Sequence, residues 1–192
     1  MKTLFIEKGH LMLKYIINQI AMSFFGVMMA FTAATVNDDG SWLLPFGIFS
    51  LLFYWSILIS FMREDGLKDA IKLKGGRIKK DTLLPLKYCS IAAVPGLVFP
   101  LVNMIIRFIG TDSAIAQGTV NICSFVTKFF VYGAFMPLDS YLFAGENAIF
   151  SSGRFLSDYS IICLVYTILT LVVCSLAYNS GLYGMFIKKD KK

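Results

Sequence analysis

The chain has 192 residues, of which 57% are hydrophobic, 15% aromatic and only 16% charged. Soluble domains are close to half apolar and about a quarter charged, so this composition excludes an ordinary soluble globular protein. The length allows apolar segments and short connections but no separate soluble catalytic domain. We therefore expect a single integral membrane domain over residues 1–192.

Five apolar runs are each long enough to cross about 30 Å of hydrocarbon, which takes about 20 helical residues. In chain order they are Tyr15–Val36, Trp42–Met62, Leu83–Ile109, Thr119–Leu138 and Tyr159–Ile187. None shows the alternating pattern of a barrel strand, and backbone groups in lipid must be satisfied within a helix or a closed barrel. The sequence therefore predicts an all-α, polytopic transmembrane helical bundle.

Basic residues are concentrated in three places: the first 14 residues, the loop at 63–81 and the last five residues. The loop has seven basic and four acidic residues, and the tail has four lysines and one aspartate. Lys and Arg accumulate in cytoplasmic loops, which predicts a plasma-membrane protein with both termini in the cytoplasm. The basic charge then indicates membrane orientation, and we expect no nucleic acid partner.

Two cytoplasmic termini require an even number of crossings, so one of the five runs does not cross. The third run contains Pro95, Gly96 and Pro100, which can break a helix into two halves. The fourth run contains Lys128 and has acidic connections on both sides. This pattern favours four full spans with Thr119–Leu138 as a re-entrant or interfacial helix on the outer side; the alternative is five spans.

A polar stripe lies along the predicted fourth helix. Its members, spaced by four, three and four residues, are Gln117, Asn121, Ser124 and Lys128. Such a stripe can form the substrate-binding wall of a cavity, in which the lysine binds an anionic group or pairs with an acidic residue. The candidate acids are Asp112, Asp139, Glu146 and Asp158. Alternatively the helix lies near the membrane surface, and the Lys128 stem extends to the lipid headgroups.

Small residues recur at intervals of four in the first and last runs. They are Gly26, Ala30 and Ala34 in the first run, and Ala177 and Gly181 in the last. Small residues let helix backbones approach closely, so these positions predict helix-packing seams. The seams either close the bundle on itself or contact another subunit.

The 63–81 loop combines a short amphipathic stretch, a break at Gly75 and Gly76, and a basic cluster. The basic residues are Lys72, Lys74, Arg77, Lys79 and Lys80. We expect them to contact the anionic inner leaflet, because lysines near such lipid gain about 1 kcal/mol each. A cytoplasmic partner is the alternative.

The residues needed for most catalytic or metal sites are missing from the sequence. The only histidine is His10, and the four cysteines occur singly in apolar runs without C-x-x-C spacing. No cluster of the usual metal ligands is apparent. The sequence therefore predicts a protein that is not an enzyme and has no cofactor or metal.

The order of features around "GLKDAIKLKGGRIKKD" resembles small polytopic membrane proteins of Gram-positive bacteria. The likeness covers residues 12–105 and includes a tight helical hairpin, the basic loop and a span with a mid-membrane proline. It implies a bacterial plasma membrane and no particular activity.

Two functions follow as hypotheses. The first is a non-enzymatic accessory or regulatory subunit that joins a larger membrane complex through its small-residue seams and its basic loop. The second is a small solute-binding or transport protein with a polar pocket around Lys128. A lysine buried beside an acid supports the pocket, whereas an outward-facing Gly26, Ala30 and Ala34 surface supports a partner subunit.

Overall fold

The computed structural model describes residues 2–36, 41–78, 81–110, 113–143 and 155–187. Every regular element in these ranges is helical, which confirms the all-α prediction. The helices are α1 (Lys2–Val36), α2 (Leu43–Lys74), α3 (Leu84–Ala92), α4 (Val94–Ile109), α5 (Ala114–Val126), α6 (Met136–Phe143) and α7 (Phe155–Ile187). A π-helical turn over Thr127–Val131 and a 3₁₀ turn over Gly133–Phe135 join α5 to α6.

Four helical segments of the described chain are long and apolar enough to cross a membrane. They are Lys8–Val36, Leu43–Lys74, Ala114–Val131 and Ser160–Gly184. A fifth crossing is possible if α3 and α4, which are separated by a short break, together form one span. By length and composition, the chain is therefore a polytopic helical protein with four or five possible spans.

The break between α3 and α4 falls where the prolines of the third run predict it. α3 ends at Ala92, and Pro95 lies in the first turn of α4. Proline is tolerated in a first turn because its missing N–H would have no helical partner there, and without that N–H it cannot continue α3 by donating to the Ile91 carbonyl. Pro100 lies inside α4, which continues past it to Ile109.

The loop predicted at 63–81 is mostly helical, because α2 continues through it to Lys74. The helix then ends at the glycine pair: Gly76 has φ +67°, a left-handed value that glycine adopts without steric cost. The Arg77 amide donates to the Lys72 carbonyl at 3.0 Å, which closes the helix with a Schellman motif. The predicted break is thus present, but the preceding stretch extends α2 and is not a separate surface helix.

The chain divides into two compact units. The first contains residues 1–15, 55–92 and 168–192, and the second contains residues 16–54 and 93–167. α1, α2 and α7 contribute residues to both units. The description of a single integral domain stays a prediction.

In the first unit, α2 and α7 pack with their backbones in close contact at two glycines. A Cβ at Gly66 would meet the Tyr178 carbonyl, and a Cβ at Gly181 would meet the Arg63 carbonyl. Only glycine permits this approach, because any side chain would push the helices apart. This contact places the polar residues of α2 beside those of α7.

In the second unit, α4 and α5 form an antiparallel helical hairpin. The Asn103 amide donates to the Ser124 hydroxyl at 3.1 Å, and the side chain of Val131 lies against Gly96. Gly96 precedes Asn103 along the chain, whereas its partner Val131 follows Ser124, so the two helices run in opposite directions. The hairpin therefore brings the π turn after α5 to the start of α4.

After the π turn the chain advances along α1 and α2 towards the connection between them. Gln19 of α1 donates to the Val131 carbonyl. Ser23, four residues further along α1, contacts Gly133, and Gly47 near the start of α2 contacts Leu138. The Ser50 hydroxyl donates to the Ala134 carbonyl at 2.8 Å, which fixes the 3₁₀ turn against α2. We call residues 114–143 the folded-back segment, because α5 and α6 run in different directions on the two sides of this turn.

Candidate functional site

The four residues of the predicted polar stripe do not share one buried surface. Gln117 and Asn121 are exposed, whereas Ser124 and Lys128 are half-buried. The buried face of this segment is formed by Val120, Cys123 and Thr127. Ser124 accepts the hydrogen bond from Asn103, and so contributes to helix packing. Of the four, Lys128 is the one that lies near a buried ionisable group.

That group is Asp139, in the first turn of α6. Asp139 is only 8% exposed, and its Oδ1 has no hydrogen-bond partner among the described groups. The ammonium of Lys128 acts on it electrostatically. In one continuous helix, eleven residues would separate the two by about 16 Å along the axis. Their interaction is therefore a consequence of the fold of the segment 114–143.

The protonation of Asp139 follows from its surroundings. Asp139 lies outside the helices that are long and apolar enough to span a membrane. Burial raises the pKa of its carboxyl to about 8, and the charge of Lys128 acts in the opposite direction. Burial dominates because a carboxylate removed from water loses its hydration.

Aromatic and hydroxyl groups surround this carboxyl. Tyr132 and Tyr166 both interact with it electrostatically, and the Tyr132 hydroxyl donates to the Gly96 carbonyl at 2.7 Å. Phe135 stacks on Tyr166 with ring centroids 4.3 Å apart. Near the same turn the Ser23 hydroxyl is fully buried and has no hydrogen-bond partner in the described chain. The second unit thus contains two buried polar side-chain atoms, Ser23 Oγ and Asp139 Oδ1, without a hydrogen-bond partner in the described chain.

The other candidate acids provide no further information about Lys128. Asp112 and Glu146 lie outside the described residues, and so does the side chain of Asp158. Asp139 is the predicted partner that the structure places near the lysine.

The predicted small-residue seams lie partly inside the fold. A Cβ at Gly26 would meet the Gly133 carbonyl, and Ala30 is 6% exposed. Ala34 is exposed, whereas Ala33 is fully buried. Steps of four and then three follow a helix face more closely than two steps of four, because a turn has 3.6 residues. Ala177 and Gly181 of α7 are both buried in the first unit.

A second ionic site, in the first unit, was not predicted. Lys8 is bonded to both Asp65 and Asp69, with N···O distances of 2.9 and 2.7 Å. All three side chains are at most 7% exposed. The Tyr178 hydroxyl donates to Asp69 at 2.8 Å, and the Tyr88 hydroxyl donates to Asp65 at 3.3 Å. We call these five residues the lysine–aspartate cluster.

The spacing of the two aspartates is a sequence signal for part of this cluster. Asp65 and Asp69 are four residues apart, so a helix places both carboxylates on one face. The charge pattern instead assigns both aspartates to the 63–81 loop and Lys8 to the basic first 14 residues. Only the tertiary fold brings the lysine to the two aspartates.

The predicted basic contact residues lie at the end of α2 and after it. Lys72, Lys74 and Arg77 are exposed, and the Lys72 ammonium is 3.5 Å from Asp69. Lys79 and Lys80 lie outside the described residues. Beyond them Lys87 lies 2.6 Å from Asp81 and lowers the pKa of that carboxyl.

No set of three or more potential metal ligands occurs among the residues that the structure describes. The four cysteines are buried and form no disulfide. The described chain thus gives no metal centre, and its two ionic sites are the candidates for function.

Comparisons with family models, with curated proteins and with solved structures find no match. The fold and the sites nevertheless define a class: an all-α protein with several helices long and apolar enough to span a membrane, and with buried charges among them. The resemblance to Gram-positive membrane proteins stays a prediction.

Proposed function

We propose that this protein is a membrane transport protein that binds a small anionic solute beside Lys128. The observation that carries the proposal is the folded-back segment, which brings Lys128 near the buried carboxyl of Asp139. Broken helices and buried ionisable groups are typical of transporter binding sites, because irregular backbone inside a membrane is retained where it is buried or lines a solute path.

The packing of the small residues supports this function more than a role as an accessory subunit. Gly26 and Ala30 are covered within the chain, so they leave no outward seam for another protein. Ala34 is exposed but is a single small residue. A partner that docks on the Gly26, Ala30 and Ala34 surface would require all three to face outward.

The proposal includes an orientation in the plasma membrane. The positive charge of the 63–81 region and of both ends favours a cytoplasmic location for the termini. With α3 and α4 as one bent span, four segments cross, and the folded-back segment enters and leaves from the outer side. The solute would then reach Lys128 from outside.

Thermal unfolding of the purified full-length protein in mild detergent tests the anion site. The probes are inorganic phosphate, sulfate, acetate, succinate and citrate, with glucose as an uncharged control. We expect at least one anion to raise the unfolding temperature, because a ligand that binds only the folded state stabilises it. Lys128→Met should weaken that binding by roughly tenfold or more, as expected for loss of a charge-assisted hydrogen bond.

The matched control is Lys68→Met, which removes an exposed lysine paired with Glu64 on the surface of α2. This variant should bind the anion as the wild type does. If no anion stabilises the wild type, or if both lysine variants bind it equally well, the proposed anion site is wrong.

A further inference from the structure

Asp139 combines three properties that the anion site does not itself require. It is buried, its Oδ1 has no partner in the described chain, and it is near the lysine proposed to bind the anion. Buried polar atoms nearly always have hydrogen-bond partners, so an unpartnered carboxylate oxygen needs an explanation. Its environment is therefore suited to the neutral, protonated form.

The groups around Asp139 are consistent with a single exchangeable proton. Among the described residues, Lys128, Tyr132 and Tyr166 interact with it electrostatically. The part of α1 in the second unit, residues 16–36, has no titratable side chain, and the part of α2 in this unit has Tyr54. Lys128 is the one cation in this group, so it is the charge to which a deprotonated Asp139 would respond.

We infer that Asp139 is a proton-binding group of the anion site, and that its protonation removes a negative charge that competes with the anion for Lys128, so that proton and anion bind together. The coupling in this inference rests on the proposed function, whereas the proton site rests on the geometry of Asp139. In the deprotonated state the carboxylate attracts the ammonium and competes with the solute. Uptake of one proton converts the carboxylate to a neutral acid and removes this competition.

The coupling is reciprocal, as linkage requires: a proton on Asp139 strengthens anion binding, and a bound anion strengthens proton binding. A proton taken up from the side where the solute binds would then move with the solute through the transport cycle. This assigns the proton as the coupling ion of the proposed transporter.

Infrared spectroscopy of the full-length protein in lipid tests the proton site without any solute. We expect a protonated-carboxyl C=O band at pH 7 that disappears as the pH is raised through about 8, the value to which burial raises the pKa of Asp139. Asp139→Asn should remove this band, whereas Asp81→Asn, which changes an acid beside Lys87 at the protein surface, should retain it. Absence of the band in the wild type, or its persistence in Asp139→Asn, would overturn the inference.

Anion affinity across pH tests the coupling. In the wild type, affinity for the anion identified by thermal unfolding should fall by up to about tenfold per pH unit above the pKa, as expected for one linked proton. Asp139→Asn should bind the anion without this dependence, because an amide is neutral at every pH. Equal pH dependence in both proteins would overturn the coupling while leaving the anion site intact. Failure of all anions to bind would instead remove the proposed function and leave the infrared result to decide the proton site.

Discussion

Lys8→Met is expected to destabilise the protein by about 3–5 kcal/mol, the cost typical of removing one partner from a buried ion pair. Lys8 is bonded to both Asp65 and Asp69, whose side chains are 7% and 2% exposed. Without the ammonium, two carboxylates remain close together in a buried site. The two tyrosine hydroxyls cannot supply the lost positive charge. Chemical or thermal unfolding in detergent measures the effect.

Lys68→Met is again the matched control, since the pair of Lys68 with Glu64 is on the surface of the same helix and its side chains are about 60% exposed. Exposed pairs contribute about 0–1 kcal/mol. Neutralising both acids in Lys8→Met/Asp65→Asn/Asp69→Asn should recover part of the lost stability, because no uncompensated charge then remains buried. Equal small effects for Lys8→Met and Lys68→Met would show that the cluster is not a stabilising buried site.

Gly133→Ala should destabilise the second unit by about 1–3 kcal/mol, the usual range for overpacking. A Cβ at this position would meet the backbone carbonyl of Ser23, which cannot move aside as a flexible side chain can. The substitution would separate the turn of the folded-back segment from α1. We expect a lower unfolding temperature and, under the proposed function, weaker anion binding.

Gly118→Ala is the control for this effect, because it lies on α5 and a Cβ there would contact nothing within 4 Å. Alanine is favoured over glycine in a helix by up to about 1 kcal/mol, so this variant should be as stable as the wild type or more so. If both alanine variants behave alike, the close packing at Gly133 is not present in the folded protein.

Much of the fold was accessible from local sequence patterns. The apolar runs predicted the long helices, because a segment of about 20 apolar residues has few alternatives in a membrane. Pro95 predicted the break between α3 and α4, and the glycine pair predicted the position of the break at residues 75 and 76, although not that α2 extends to it. In each case the signal and the structure concern the same few residues.

The sites depended on contacts between distant residues and were less accessible. Lys8 and Asp65 are 57 positions apart, and nothing local indicates that they pair. Periodicity grouped Lys128 with exposed Gln117, because helical spacing identifies a face without showing what covers it. The approach of Lys128 to Asp139 depends on the π turn, which no spacing rule predicts.

Cysteine labelling from outside intact cells tests the central claim most directly, namely that the folded-back segment returns to the side from which it enters. Single cysteines replace Ala114 at the start of α5 and Gly145 after α6, with Gly40 and Gly76 as references for the two sides. The four native cysteines are buried, so the wild type gives the background. We expect an impermeant maleimide to label the variants at 40, 114 and 145 but not at 76. Labelling at 114 with protection at 145 would show that the segment crosses the membrane, and would contradict the account.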